Sequence, residues 1–234
     1  MSIELIGFDG DDTLWHNESI FSLTQERFEA LLEDHVPADV LRARTLDTER
    51  RNLALYGYGI KSFTLSMIET AIDVTEGRCD VSDIKVLLEL GKSMLQHPTE
   101  LLDGARQAIV DAAENGYRVV LVTKGDLFDQ ESKLARSGLG ELFEAVEIVS
   151  EKDERTYARL LAKHGVDPDR FVMVGNSLKS DILPVLQLGA RAVHVPYHVT
   201  WALEEADPPS EDAERWRRIE HLDELPAVLS SWAG

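Results

Sequence analysis

The chain has 234 residues, 44% of them hydrophobic, which is enough for one large domain or for a domain carrying an insert. It contains no run of about 18 uncharged apolar residues, and its N-terminus meets acids at once, so neither a membrane span nor a secretory signal is expected. Twenty-four Lys and Arg stand against 43 Asp and Glu, and the net charge of −19 argues against nucleic acid or anionic membranes as partners.

The acids are spread along the whole chain, so most of them read as solvated surface. A single cysteine, Cys79, permits no internal disulfide and no multi-cysteine zinc site. Together these features predict a soluble, cytoplasmic protein.

The first segment, Ile3 to Phe8, is apolar and empties into Asp9-Gly10-Asp11-Asp12, which predicts a buried strand ending in a turn. Residues 17–97 then show no strand pattern. Helix-like stretches run over Ile20–Asp34, Ala38–Leu55, Ser62–Glu76 and Val81–Gln96, separated by Pro37, the Gly57-Tyr58-Gly59 stretch and Gly77. From Leu101 onward the rhythm changes. Helical stretches over Leu101–Asn115, Leu127–Ser137, Glu154–His164 and Leu178–Leu188 each end near a glycine.

They alternate with apolar segments over Arg118–Val122, Ala145–Val149, Phe171–Val174 and Ala190–Val195. Near-continuous Val, Leu and Ile suits strands covered on both faces. Asp207–Asp212 reads as an exposed turn or loop. The expected fold is therefore α/β, a doubly wound, Rossmann-like parallel sheet with an all-helical insert. Residues 1–15 and 99–234 would form the core, and residues 16–98 the insert.

In an open parallel sheet, ligands bind outside the carboxyl ends of the strands. Here those ends carry Asp9 and Asp11 on the first strand and Thr123, Lys124 and Gly125 on the second. Lys152 follows the third. Gly175, Asn176 and Ser177 end the fourth, with Asp181 four residues beyond Ser177. Carboxylate oxygens select a hard cation such as Mg²⁺, and a lysine with a hydroxyl suits a cluster of phosphoryl oxygens. A carboxylate can also act as nucleophile, and Asp9 and Asp11 could divide the roles of nucleophile and proton shuttle.

These segments resemble the haloacid dehalogenase superfamily, in its phosphatase branch. Asp9-Gly10-Asp11-Asp12-Thr13 matches the first motif, D-x-D-x-T. Val119–Thr123 matches the second, Lys152 in Glu151-Lys152-Asp153-Glu154 the third, and Val174-Gly175-Asn176-Ser177-Leu178-Lys179-Ser180-Asp181 the fourth. The insert stands where that family carries its C1-type cap, and residues 196–225 resemble the family's C-terminus, which implies a last edge strand over Arg217–His221.

The resemblance implies that Asp9 attacks phosphorus, while Asp11 protonates the leaving oxygen and then activates water. It implies that Thr123 and Lys152 hold the phosphoryl group, with Gly10, Lys124 and Gly125 lining the substrate. Mg²⁺ would lie between Asp9, the Asp11 carbonyl and Asp181. Many relatives have a second acid where this chain has Asn176, an amide that could still hold a metal-bound water but with one negative charge fewer.

The implied activity is Mg²⁺-dependent hydrolysis of a small phosphorylated metabolite through an aspartyl phosphate. A sugar-phosphate mutase could use the same motifs. A 2-haloacid dehalogenase would lack the second Asp of D-x-D, which is present here as Asp11. A non-catalytic phospho-ligand regulator is the remaining class. An EF-hand reading of the acidic turn fails, because Leu14 and Ile20 stand where Gly and Glu are needed. Nucleotide P-loop, dinucleotide, zincin and serine-hydrolase motifs do not occur.

Overall fold

A computed structural model describes residues 2–209 and 214–232. Its strands are β1 (Leu5–Phe8), β2 (Arg118–Lys124), β3 (Ala145–Val149), β4 (Phe171–Gly175), β5 (Arg191–His194) and β6 (Trp216–Arg218). All pair in parallel in the order β3-β2-β1-β4-β5-β6. The doubly wound α/β expectation is met. The order reverses between β1 and β4, and the crevice at such a reversal is where this architecture places ligands.

Successive strand residues point to opposite faces, so an apolar run buries both. Ile6, Phe8, Val119 and Leu121 pack on one side with Ile109 of α5 (Ala105–Glu114) and Leu229 of α9 (Leu225–Trp232). Leu5, Val120 and Val122 pack on the other with Tyr157 and Leu161 of α7 (Glu154–His164). Each fully buried Leu, Val or Phe contributes roughly 1.5–3 kcal/mol.

The chain divides into two compact units. One holds the sheet and comprises Met1–Glu18, Thr99–Lys124 and Gln130–Gly234. The other comprises Ser19–Pro98 with Gly125–Asp129, so this five-residue piece groups with the helical insert rather than with the core to which the sequence reading gave it. The helical unit is built from α1 (Glu18–Leu31), α2 (Ala38–Tyr56), α3 (Ile60–Val74) and α4 (Val81–Gln96). Phe28, Leu41, Phe63, Met67, Leu87 and Met94 form its core. Lys61 ties α3 to the 125–129 piece through Asp126, 2.8 Å away. Among the described residues no helix is long and apolar enough to cross a membrane.

Three elements differ from the sequence reading. The helix expected over Leu101–Asn115 starts only at Ala105, because Leu101 bridges to Trp15 and Gly104 takes a left-handed turn at φ 77°. The helix expected over Leu178–Leu188 opens as a π-helical turn, Leu178–Ile182, before α8 (Leu183–Gln187). Pro184 has no N–H to give the Ser180 carbonyl four residues back, and the Tyr157 hydroxyl donates to that carbonyl instead at 3.0 Å.

The edge strand expected over Arg217–His221 is Trp216–Arg218, and a further helix, α9, follows it. Of the loop expected over Asp207–Asp212, residues 207–209 carry no regular structure and residues 210–212 lie outside the described residues.

Candidate active site

The site starts where β1 runs out. Asp9 still donates its N–H to the Val174 carbonyl at 2.9 Å, so the first residue past the strand remains tethered to β4. The Gly10 carbonyl then accepts the N–H groups of Thr13, Leu14 and Trp15 at 3.3, 2.8 and 3.3 Å, which folds the acidic segment into a tight turn. A Cβ at Gly10 would lie 2.6 Å from the Trp15 ring and 3.2 Å from Thr123 Oγ1. Glycine is therefore required there, and its bareness lets the turn close against the end of β2.

At the centre, the Lys152 ammonium donates both to Asp9 Oδ1 and, at 2.7 Å, to Asp181 Oδ1. All three side chains are buried. The π-helical turn presents Asp181, whose Oδ2 accepts the Ser177 N–H at 3.0 Å. Gly175 makes room for it, since a Cβ there would stand 2.3 Å from Asp181 Cγ. Burial pushes the Asp9 carboxyl up, with Lys152 opposing and the Asp181 charge adding to the rise. Burial works against the Lys152 ammonium too, yet the two carboxylates that it bridges hold it well above the ordinary lysine range. The Thr13 hydroxyl lies 3.0 Å from Asp9 Oδ2 and 3.3 Å from Asn176 Oδ1, and can donate to one of them at a time.

Asp11 faces another set of partners. Its Oδ1 accepts from Trp15 Nε1 at 2.7 Å and from Lys133 Nζ at 3.0 Å. Its Oδ2 accepts from Lys133 at 3.1 Å and from Gln130 Nε2 at 3.3 Å. The same Gln130 amide donates to Thr123 Oγ1 at 2.6 Å. Both residues lie on α6 (Leu127–Ser137), three positions apart, so they share one helix face.

Asp9, Asp11, Thr123, Lys152 and Asp181 thus gather at one end of the sheet, around the turn at Gly10. Lys124 is engaged elsewhere. Its ammonium pairs with Glu204 at 2.6 Å and lies 3.0 Å from Ser180 Oγ and 3.4 Å from Glu151. Glu204 also accepts from the Ser177 hydroxyl at 2.7 Å. Gly125, at φ 150°, belongs to the helical unit. Sequence reasoning missed Gln130, Lys133 and Glu204. The signal for the first two was a Gln and a Lys at i, i+3 in the helix that follows the second strand, and Glu204 had none.

Asp12 performs a different task from its neighbours. It stands at φ 62°, and its carboxylate accepts the N–H groups of Asn17 and Glu18 at 2.8 and 3.0 Å, capping the start of α1. Burial pushes its carboxyl from 3.8 to about 7, against the lowering effect of those hydrogen bonds. Because the folded state holds this proton more tightly than the unfolded chain does, stability falls as pH rises between those two values. Asn keeps an acceptor, carries no charge and tolerates positive φ. In thermal melts, Asp12→Asn is expected to gain on the wild type from pH 4 to pH 8, by up to about 4 kcal/mol at 1.4 kcal/mol per pKa unit. A gap independent of pH contradicts this assignment.

The donor set suits a hard cation. Two buried carboxylates face a single buried ammonium, which leaves one negative charge unbalanced away from water. Every side-chain donor on offer is oxygen. Among the described residues no group of three or more His, Cys, Asp or Glu side chains is arranged to hold a metal. The residues therefore fit an ion that accepts two carboxylates and fills its other positions with carbonyl oxygen and water, the habit of Mg²⁺.

A doubly wound sheet with D-x-D after β1 and a buried acid–lysine–acid cluster at its reversal point defines a haloacid dehalogenase-type hydrolase. Residues 3–189 match the model of the haloacid dehalogenase-like hydrolases, and the chain belongs to that family. A haloacid dehalogenase-like family hydrolase from Xanthomonas campestris is 44% identical in its crystal structure and superposes with a TM-score of 0.88, over 99% of this chain and 92% of that one.

The glyceraldehyde 3-phosphate phosphatase of Methanothermobacter thermautotrophicus is 30% identical over 126 residues, 52% of this chain. That match spans about half, 55%, of the archaeal protein. The N-acylneuraminate-9-phosphatase of Rattus norvegicus is 25% identical over 245 residues, 98% of this chain and 94% of that protein.

Proposed function

We propose that this chain is a Mg²⁺-dependent phosphatase that hydrolyses a small phosphorylated metabolite through an aspartyl phosphate on Asp9. The observation that carries the reading is the buried Lys152 ammonium bridging Asp9 and Asp181. A nucleophilic carboxylate attacking an anionic phosphoryl group needs positive charge fixed beside both, and Lys152 supplies it away from water. The names of the archaeal and rat relatives point the same way, toward phosphorylated small carbonyl compounds and sugars.

In the first half-reaction, an Asp9 oxygen bonds to phosphorus as the bond from phosphorus to the leaving oxygen breaks. Asp11 gives that oxygen a proton. In the second, water attacks phosphorus and passes a proton to Asp11, and cleavage of the Asp9–phosphorus bond releases inorganic phosphate. Thr123 and Lys152 donate hydrogen bonds to the phosphoryl oxygens throughout. Asp9, Asp181 and the Asp11 carbonyl would hold Mg²⁺, whose charge offsets that of the phosphoryl oxygens. We also read the helical insert, residues 16–98, as a C1-type cap.

The reading is tested by phosphate release from glyceraldehyde 3-phosphate, N-acylneuraminate 9-phosphate, hexose phosphates and nucleoside monophosphates, in Mg²⁺ and in excess chelator. Turnover of at least one ester in Mg²⁺, falling about 100-fold or more in chelator, is expected for metal-assisted phosphoryl transfer. Silence on every ester, or equal rates in chelator, overturns it.

A further inference from the structure

Two side chains of α6 point into the site although the chemistry at Asp9 does not call on them. Gln130 and Lys133 are both buried. A lysine near a surface normally extends its ammonium into water. Lys133 instead aims Nζ at three acceptors, both oxygens of Asp11 at 3.0 and 3.1 Å and Asn17 Oδ1 at 2.7 Å. Those match the three hydrogens of an ammonium. With Trp15 Nε1 on Oδ1, the Asp11 carboxylate is gripped from two sides and its rotation is fixed.

Gln130 completes the arrangement. Its amide nitrogen donates to Thr123 Oγ1 at 2.6 Å and reaches Asp11 Oδ2 at 3.3 Å. The carboxylate accepts only, so the NH₂ end of Gln130 must be the end that faces it. A hydroxyl that receives a hydrogen bond from Gln130 keeps its own hydrogen for another acceptor. The Thr123 hydroxyl is thereby set up as a donor directed away from α6.

We propose that Lys133 and Gln130 are positioning residues for phosphoryl transfer. Lys133 fixes the Asp11 carboxyl in the orientation that hands a proton to the leaving oxygen, and Gln130 aims the Thr123 hydroxyl at a phosphoryl oxygen. The role rests on the phosphatase reading above. Within it, the two residues leave different signatures. In kcat/KM, which reports the first half-reaction alone, fixing Asp11 matters only when the leaving oxygen needs a proton, whereas aiming Thr123 matters for every phosphoryl group.

The test compares kcat/KM for benzyl phosphate, whose alkoxide must be protonated, with that for p-nitrophenyl phosphate, whose phenolate leaves unaided. Lys133→Met is expected to lose about 30-fold or more on the benzyl ester and less than about 3-fold on the nitrophenyl ester, within the range of acid–base contributions. Lys133→Arg should recover most of the loss. Gln130→Leu should lose about 10-fold on both esters alike, as expected for a misplaced binding hydroxyl. In an Asp11→Asn background, Lys133→Met should add less than about 2-fold on the benzyl ester, because its route of action is already gone.

Equal losses of the Lys133 variant on both esters, or a full loss persisting in the Asp11→Asn background, overturn the role. If Lys133→Met does not fold, Lys133→Gln is read by the same ratio between esters. A wild-type chain that frees phosphate from neither ester overturns the phosphatase reading itself, and this role with it.

Discussion

Asp9→Asn is expected to reduce phosphate release by at least about 10⁴-fold while leaving the fold as stable as before. The loss follows from chemistry, since an amide oxygen of almost the same shape cannot form the covalent intermediate that divides the reaction into two easier steps. The unchanged fold follows from electrostatics. An amide oxygen in the place of Asp9 Oδ1 can still accept from Lys152, and that ammonium keeps its charged partner Asp181 at 2.7 Å. Burial pushes the wild-type carboxyl up, so the charge on Asp9 costs folding free energy at neutral pH.

The sign is then fixed. The folded state holds the Asp9 proton more tightly than the unfolded chain, so wild-type stability declines as pH rises above the ordinary carboxylate range. The Asn variant lacks that decline, and its melting temperature should match or exceed that of the wild type at pH 8. Activity retained within about 10-fold would remove Asp9 as nucleophile, because loss of a true covalent nucleophile costs far more.

The core strands were legible because their signal is local. Segments such as Val119–Val122 and Phe171–Val174 are buried on both faces, and a continuous apolar run is what two covered faces demand. β6 carries no such run, since Trp216-Arg217-Arg218 is only partly buried at the edge of the sheet, and its limits could not be read. At the π-helical turn before α8, the Ser180 carbonyl that Pro184 cannot serve accepts from the Tyr157 hydroxyl of another helix, a contact between distant parts of the chain.

The same distinction divides the site. Asp9, Thr123, Lys152 and Asp181 stand at strand ends or on the segments just beyond them, and strand order alone brings those ends together. Lys124 shows where that logic stops. It is the residue after Thr123 in β2, and successive strand residues face opposite ways, so its ammonium lies with Ser180 and Glu204 instead. Glu204 lies in an acidic stretch with no helix or strand to give it a direction. Only the folded chain shows it paired with Lys124, its acidity strengthened by that partner although burial works against it.

Lys152→Met carries the largest expected stability loss. Met approximates the volume of the lysine stem, so the substitution mainly removes charge. It would leave Asp9 and Asp181 facing one another, both buried, with no cation between them. Removing one partner of a buried ionic cluster typically costs about 3–5 kcal/mol, because the charges left behind are desolvated and unpaired. For a chain of this size that corresponds to a fall in melting temperature of roughly 10 °C, measured in chelator so that no added cation substitutes for the lysine.

The pH dependence distinguishes this cause from a packing defect. With Lys152 gone, the influence that opposed burial at Asp9 is gone as well, so its folded carboxyl rises further. Protonation then relieves the penalty. The destabilisation should be greatest near pH 8 and shrink toward pH 5, where a buried carboxyl with a raised pKa regains its proton. Combining Lys152→Met with Asp9→Asn removes one of the two stranded charges and should restore more than half of the lost stability. A deficit of the same size at both pH values, or a double variant no better than the single, would mean that Lys152 supports the site by shape rather than by charge.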